Sequence, residues 1–118
     1  MFKEDLLKGK KILVTGGGTG LGKEMSEHYI QHGADLVICG RRESVLEDTA
    51  NEFKDKYGVS VRYQPLDIRS PQDVEDFIES IFQEGPLHGL VNNAAGNFIS
   101  PTKDLSARGF DAIANIVF

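Results

Sequence analysis

Short apolar runs alternate along this chain with longer stretches whose apolar residues recur at helical spacing. Ile12-Leu13-Val14, Leu36-Val37-Ile38-Cys39 and Gly89-Leu90-Val91 are the clearest runs. Unbroken apolarity marks strands covered on both faces, as in a parallel sheet. The pattern predicts strands β1 to β4 over 11–16, 35–40, 59–65 and 87–92, and helices α1 to α3 over about 20–32, 44–57 and 71–84. Helix α3 is the best marked. Ser70 can cap it, Pro71 suits its first position, Asp73 lies in the dipole-favoured first turn, and Gly85-Pro86 ends it. Val74, Phe77, Ile78, Ile81 and Phe82 form its apolar face. A loop over 93–105 should lead into a last helix starting near Ser106.

Strict alternation of strand and helix implies an α/β fold, a doubly wound parallel sheet with helices on both faces. Right-handed crossovers give the strand order 3-2-1-4. The apolar helical pattern over 110–118 runs to Phe118 with no closing glycine or proline, and β4 would form an exposed apolar edge. Residues 1–118 are therefore expected to be the N-terminal part of a single, longer domain.

Composition narrows the partners. The 118 residues carry a net charge of −5, with no basic block, which argues against nucleic acid. The N-terminus, with Glu4 and Asp5, lacks the apolar core of a signal peptide, and no apolar run is long enough for a membrane span. Cys39 is the only cysteine, which excludes an internal disulfide. It reads as a small core residue in a reducing compartment, so a cytoplasmic location is expected.

Candidate chemistry starts at Thr15-Gly16-Gly17-Gly18-Thr19-Gly20-Leu21-Gly22, between β1 and α1. A glycine turn from strand to helix aims backbone N–H groups and a helix dipole at a phosphate. The P-loop spacing G-x-x-x-x-G-K-S/T fits from Gly17 to Lys23 and then fails, because Glu24 replaces the magnesium-binding hydroxyl. The G-x-G-x-x-G fingerprint fails in every register, for it needs glycine at Leu21 or Lys23. The spacing that fits is T-G-x-x-x-G-x-G, at Thr15, Gly16, Gly20 and Gly22.

That spacing resembles the short-chain dehydrogenase/reductase family, a Rossmann-like nicotinamide-binding fold. Two later motifs, in family order, strengthen the resemblance. Pro65-Leu66-Asp67-Ile68 is similar to the family's aspartate motif, and Asn92-Asn93-Ala94-Ala95-Gly96 to its N-N-A-G signature. The resemblance implies cofactor contacts at Gly16, Gly18, Thr19, Gly20, Leu21 and Gly22. It further implies adenine contacts at Asp67 and Ile68, and nicotinamide-ribose contacts at Asn93, Ala94, Ala95 and Gly96. Taken alone, Asp67 reads as a turn former.

The end of β2 chooses between cofactors. A carboxylate there would bind a free ribose 2′-hydroxyl, whereas a basic residue accepts a 2′-phosphate. This chain has Cys39-Gly40-Arg41-Arg42, so NADP(H) is favoured, with Arg41 nearer the strand tip than Arg42. The plainer reading is a solvated pair, one arginine capping α2 or bridging to Glu43 or Glu47.

The run N-N-A-A-G-N-F-I-S-P-T, with the Gly-Gly-Gly-Thr-Gly-Leu-Gly loop and Asp67-Ile68-Arg69, resembles the 2,4-dienoyl-CoA reductases within that family. These reduce unsaturated acyl-CoA intermediates of fatty-acid oxidation. The resemblance implies that NADPH delivers hydride to the far end of the conjugated system while a tyrosine protonates near the thioester carbon through water. It places Arg69 by an anionic CoA group, Phe98 against the acyl chain and Ser106 as a polar contact. A surface ion pair, a core anchor and a helix N-cap are their respective plainer readings.

The family's catalytic Ser and Tyr-x-x-x-Lys are expected beyond residue 118. Tyr29, Tyr57 and Tyr63 are followed four residues later by Gly33, Val61 and Asp67, so none forms the pair. The piece alone is expected to be inactive, and the full-length protein to form a homo-oligomer, commonly a tetramer in the family. Another short-chain reductase, such as a 3-oxoacyl thioester reductase, and a non-catalytic NADP-binding module stay open. His28 and His32 share a face near the end of α1 with no third ligand, so no metal site is expected.

Overall fold

The computed structural model describes residues 6–93 in full and the backbone of residues 115–117. Strand β1 (Lys11–Thr15) lies at the centre, with Ile12, Leu13 and Val14 wholly buried. It pairs in parallel with β2 (Asp35–Gly40) on one side and β4 (Gly89–Asn92) on the other, and β2 carries β3 (Arg62–Pro65) on its far edge. The expected parallel order 3-2-1-4 is thus observed. Helices α1 (Gly20–Gln31), α2 (Glu43–Tyr57) and α3 (Pro71–Glu84) connect the strands.

The period-two alternation of strand side chains sorts the core into two layers. Leu13, Val37, Cys39 and Leu90 pack with Val74, Phe77, Ile78 and Ile81 of α3. Ile12, Val14, Leu36, Ile38 and Val91 face the other way, onto Ile30 of α1 and Leu46 and Phe53 of α2. The chain therefore switches faces after β3. The crevice at such a switch opens beyond the carboxyl ends of β1 and β4, where open α/β sheets bind ligands. Burial pushes the Cys39 thiol up to about 12, consistent with a core role.

Helix α3 has the cap that its sequence announces: the Asp73 amide donates to Ser70 Oγ at 3.4 Å, and Pro71 is the first helical residue. Two strands start later than expected. Residues 59–61 precede the ladder, which begins where Val37 meets Arg62. Val59 and Val61 instead pack beside the α1–α2 layer, which explains their apolar character. Leu87 similarly packs against the α3 layer. His88 holds Lys11 through two bonds, its backbone amide donating to the Lys11 carbonyl and its Nδ1 accepting the Lys11 amide.

One expectation is overturned. Asn115–Val117 forms a fifth strand, β5, antiparallel to β4, with Leu90 opposite Val117 and Asn92 opposite Asn115. The helical pattern therefore does not continue to the end of the apolar run, and β4 is not an open edge there. The unpaired N–H and C=O groups of β4 offer a ladder that local periodicity does not record, and β-branched Ile116 and Val117 suit it. The helix expected from near Ser106 lies outside the described residues. Among the described residues no helix is long and apolar enough to cross a membrane.

Candidate functional site

Gly16 leaves β1 with φ of 67°, a left-handed turn that a side chain would strain, and its amide donates to the Cys39 carbonyl at 2.8 Å. Gly22 is required by contact. A Cβ there would run into the carbonyl of Gly16 and lie 2.6 Å from Asn93 Nδ2. The fingerprint spacing thus allows α1 to sit directly against the end of β1. Thr19 precedes α1 in extended conformation without a side-chain cap, and no acidic residue stands in the first helical turn. The positive end of α1 is therefore not offset by a cap or by an acidic residue of its own first turn. Leu21 is 57% exposed beside it.

Arg41 and Arg42 follow β2 and are both exposed. Arg42 occupies the N-cap position of α2 but makes no side-chain cap bond. Glu47 accepts from the Tyr63 hydroxyl at 3.2 Å instead of bridging to an arginine. The described ion pairs include neither Arg41 nor Arg42.

Beyond β3, Asp67 and Arg69 hold one another. Arg69 donates from Nε to Asp67 Oδ1 and from a terminal nitrogen to Oδ2, both at 3.0 Å, and its amide donates to Oδ1 at 2.9 Å. The Arg69 guanidinium, helped by that amide and more distantly by Arg41, lowers the Asp67 carboxyl to about 2. The ion pair that the sequence offered as the plainer reading of Arg69 is therefore formed in the structure. Ile68, between the pair, packs against the α3 layer.

A pH titration should expose this pairing. Because the folded-state value is depressed, its stabilising effect is present above the ordinary value of 3.8 and lost as pH falls toward about 2. In Arg69→Ala, which keeps the amide hydrogen bond, the Asp67 side-chain carbonyl resonance is expected to titrate clearly above about 2, nearer its ordinary value. A midpoint still near 2 would mean that other groups hold the carboxylate.

At the ends of β1 and β4, Thr15 Oγ1 accepts the Asn93 amide at 2.8 Å and lies 3.3 Å from Asn92 Oδ1. Asn92 is wholly buried, and its Nδ2 has no partner among the described residues. The remaining expected contacts, Ala94, Ala95, Gly96, Phe98 and Ser106, lie outside the described residues.

One cleft of about 680 Å³ gathers Gly16, Gly18, Thr19, Arg41, Arg42, Asp67, Ile68 and Arg69. The loop after β1, the end of β2 and the end of β3 thus face a common space. Gly20, Leu21, Gly22 and Asn93 are not on its wall. Val45 and Leu46 of α2 also line it, and the sequence had not marked them. Nor had it marked Thr49, whose Oγ1 donates to the Gly18 carbonyl at 2.9 Å. The available signal was a hydroxyl in the inward stripe of α2, among Leu46, Ala50 and Phe53.

The short chain dehydrogenase family model matches residues 10–118. A peroxisomal 2,4-dienoyl-CoA reductase of Arabidopsis thaliana, named as producing (3E)-enoyl-CoA, is 40% identical over 98% of this chain and 39% of its own length. Among solved structures, the citronellol catabolism dehydrogenase of Pseudomonas aeruginosa PAO1 superposes with a TM-score of 0.76 at 37% identity, over 92% of this chain and 44% of that one. A short-chain dehydrogenase of Escherichia coli CFT073, complexed with NADPH, superposes with a TM-score of 0.74 at 29% identity, covering 86% and 44%. The chain spans less than half the length of each of these proteins.

Proposed function

The chain belongs to the short-chain dehydrogenase family, and from that premise we propose that it is the cofactor-holding N-terminal part of an NADPH-dependent 2,4-dienoyl-CoA reductase. The observation that carries the cofactor assignment is the cleft itself. It sets a glycine loop and a helix N-terminus without an acidic first turn opposite Arg41 and Arg42, with no carboxylate at the end of β2. The close approach of α1 to the loop, which a Cβ on Gly22 would prevent, fits a diphosphate held by backbone N–H groups.

When bound, NADPH supplies the hydride. The chain's residues bind and orient. The amides at the start of α1 would hold the diphosphate, and Arg41 would take the 2′-phosphate. Asp67 and Ile68 border the adenine. By the resemblance, Asn93 to Gly96 would meet the nicotinamide ribose. Reduction of the conjugated thioester places charge on its oxygen, which needs preorganised donors. We assign these, with the Ser and Tyr-x-x-x-Lys, to residues beyond Phe118. Tyr29, Tyr57 and Tyr63 cannot supply the pair, since no lysine follows at the required spacing.

The substrate class rests on the run from Asn92 to Thr102 and on the Arabidopsis relative. Its acyl-CoA would meet Phe98 and Ser106, with Arg69 turned to the CoA from its pairing with Asp67. The working form is a homotetramer. The relative's name places that protein in the peroxisome, and the single buried thiol of this chain suits any reducing compartment.

Steady-state NADPH oxidation by the intact protein tests the assignment. A 2,4-dienoyl-CoA is expected to turn over with higher kcat/KM than a 3-oxoacyl-CoA, and NADH to serve poorly with either. Preference for the 3-oxo substrate would make the protein a different reductase. NADPH binding with no turnover of any thioester would leave a binding module.

A further inference from the structure

Helix α2 does more than carry the arginines that precede it. Its inward face is Leu46, Thr49, Ala50 and Phe53, and Thr49 is only 2% exposed. The Thr49 hydroxyl donates to the carbonyl of Gly18, a buried contact that crosses from the second turn of α2 to the glycine loop. The same glycine is crowded from α2 by two apolar side chains. A Cβ built on Gly18 would lie 2.9 Å from Val45 Cγ1 and 3.4 Å from Leu46 Cδ2.

These contacts have different consequences. Val45 and Leu46 limit how closely the loop can approach α2, but apolar contact is non-directional and leaves the peptide free to rotate. The hydroxyl is directional. Because the peptide is planar and trans, the Gly18 carbonyl and the Thr19 N–H point in opposite senses, and fixing one fixes the other. A glycine has no side chain to restrain its peptide, so the ordering must come from outside. Gly18 and Thr19 both line the cleft.

We propose that Thr49 is a positioning residue for cofactor binding. It holds the Gly18–Thr19 peptide in the orientation that receives the diphosphate, and so governs affinity for NADPH and NADH alike while touching neither. The proposal rests on the cofactor reading above. It divides the work of one segment in two: Arg41, just before α2, discriminates between the cofactors, and Thr49 sets the strength with which both are held.

Calorimetric titration of the intact protein with NADPH, NADH and adenosine 2′-monophosphate tests this, together with thermal midpoints. Thr49→Val keeps the shape and removes the donor. It is expected to weaken NADPH and NADH equally, by about tenfold. Adenosine 2′-monophosphate, which has no diphosphate, should bind within about twofold of wild type, and Thr49→Ser should restore both dinucleotide affinities. Unchanged NADPH affinity in Thr49→Val would overturn the proposal. So would an equal loss for adenosine 2′-monophosphate, which would mean that α2 as a whole had been disturbed. A Thr49→Ser variant as weak as Thr49→Val would show that the methyl group, not the hydroxyl, matters. No NADPH binding by the wild type would overturn the cofactor reading and this role together, whereas a wild type that binds beside an unaffected Thr49→Val overturns this role alone.

Discussion

Gly22→Ala in the intact protein is expected to reduce affinity for NADPH and NADH by roughly 100-fold, with a stability loss of about 1–3 kcal/mol. The added methyl would meet the Gly16 carbonyl, which is backbone, and Asn93 Nδ2 at 2.6 Å. Asn93 Nδ2 ends a side chain that can turn aside, but the Gly16 carbonyl is backbone and cannot. Gly16 is fixed by its amide bond to the Cys39 carbonyl. Relief therefore requires α1 to move away from the end of β1, which takes the helix N-terminus out of the cleft. Both cofactors carry the diphosphate, so the loss should not discriminate between them. Calorimetric titration and thermal melting of the variant measure the two effects. A variant that binds both cofactors within about twofold of wild type would show that the loop absorbs a methyl group, and the diphosphate would have to be held elsewhere.

What the sequence disclosed, and what it hid, follows from the range of the interactions concerned. Helix α3 was legible to its first and last residue because Ser70, Pro71 and Gly85 act locally. The parallel order followed from unbroken apolar runs and the handedness of crossovers. The sequence puts the start of β3 too early because Val59 and Val61 are apolar for packing reasons, and a run of residues does not say whether burial or a ladder explains it. The strand at Asn115–Val117 was hidden for a related reason. A short apolar run carries both periods weakly, and the free edge of β4 decides between them.

The site divides in the same way. Gly16 and Gly22 were legible because the backbone geometry that needs them is local and tolerates no substitute. Arg41 was legible as a charge at a strand end. The bond from Thr49 to Gly18 was not, because it spans 31 residues and a threonine inside a helix carries no local sign of the carbonyl it will meet. Arg69 stood between two readings. The structure shows its guanidinium on Asp67, two residues away, which makes any role toward an acyl-CoA a matter of exchanging that partner.

Arg41→Ala is expected to weaken NADPH binding roughly 10- to 100-fold while leaving NADH nearly unchanged. The guanidinium projects at the end of β2 beside the cleft, and the described ion pairs do not include it. A 2′-phosphate placed there gains a charge-assisted contact that a bare hydroxyl cannot return. Arg42→Ala should cost less, since that residue sits at the N-cap position of α2, already turned from the strand. Both losses should shrink as salt rises, because Arg41 and Arg42 are exposed and screening at physiological ionic strength acts over about 8 Å. The sign of the selectivity is the decisive point. Removing a group that recognises only the 2′-phosphate lowers the preference for NADPH, whereas removing one that supports the sheet end lowers both affinities together. Titrating the two cofactors against wild type, Arg41→Ala and Arg42→Ala separates these outcomes, and equal losses in Arg41→Ala would withdraw the ground for assigning NADPH.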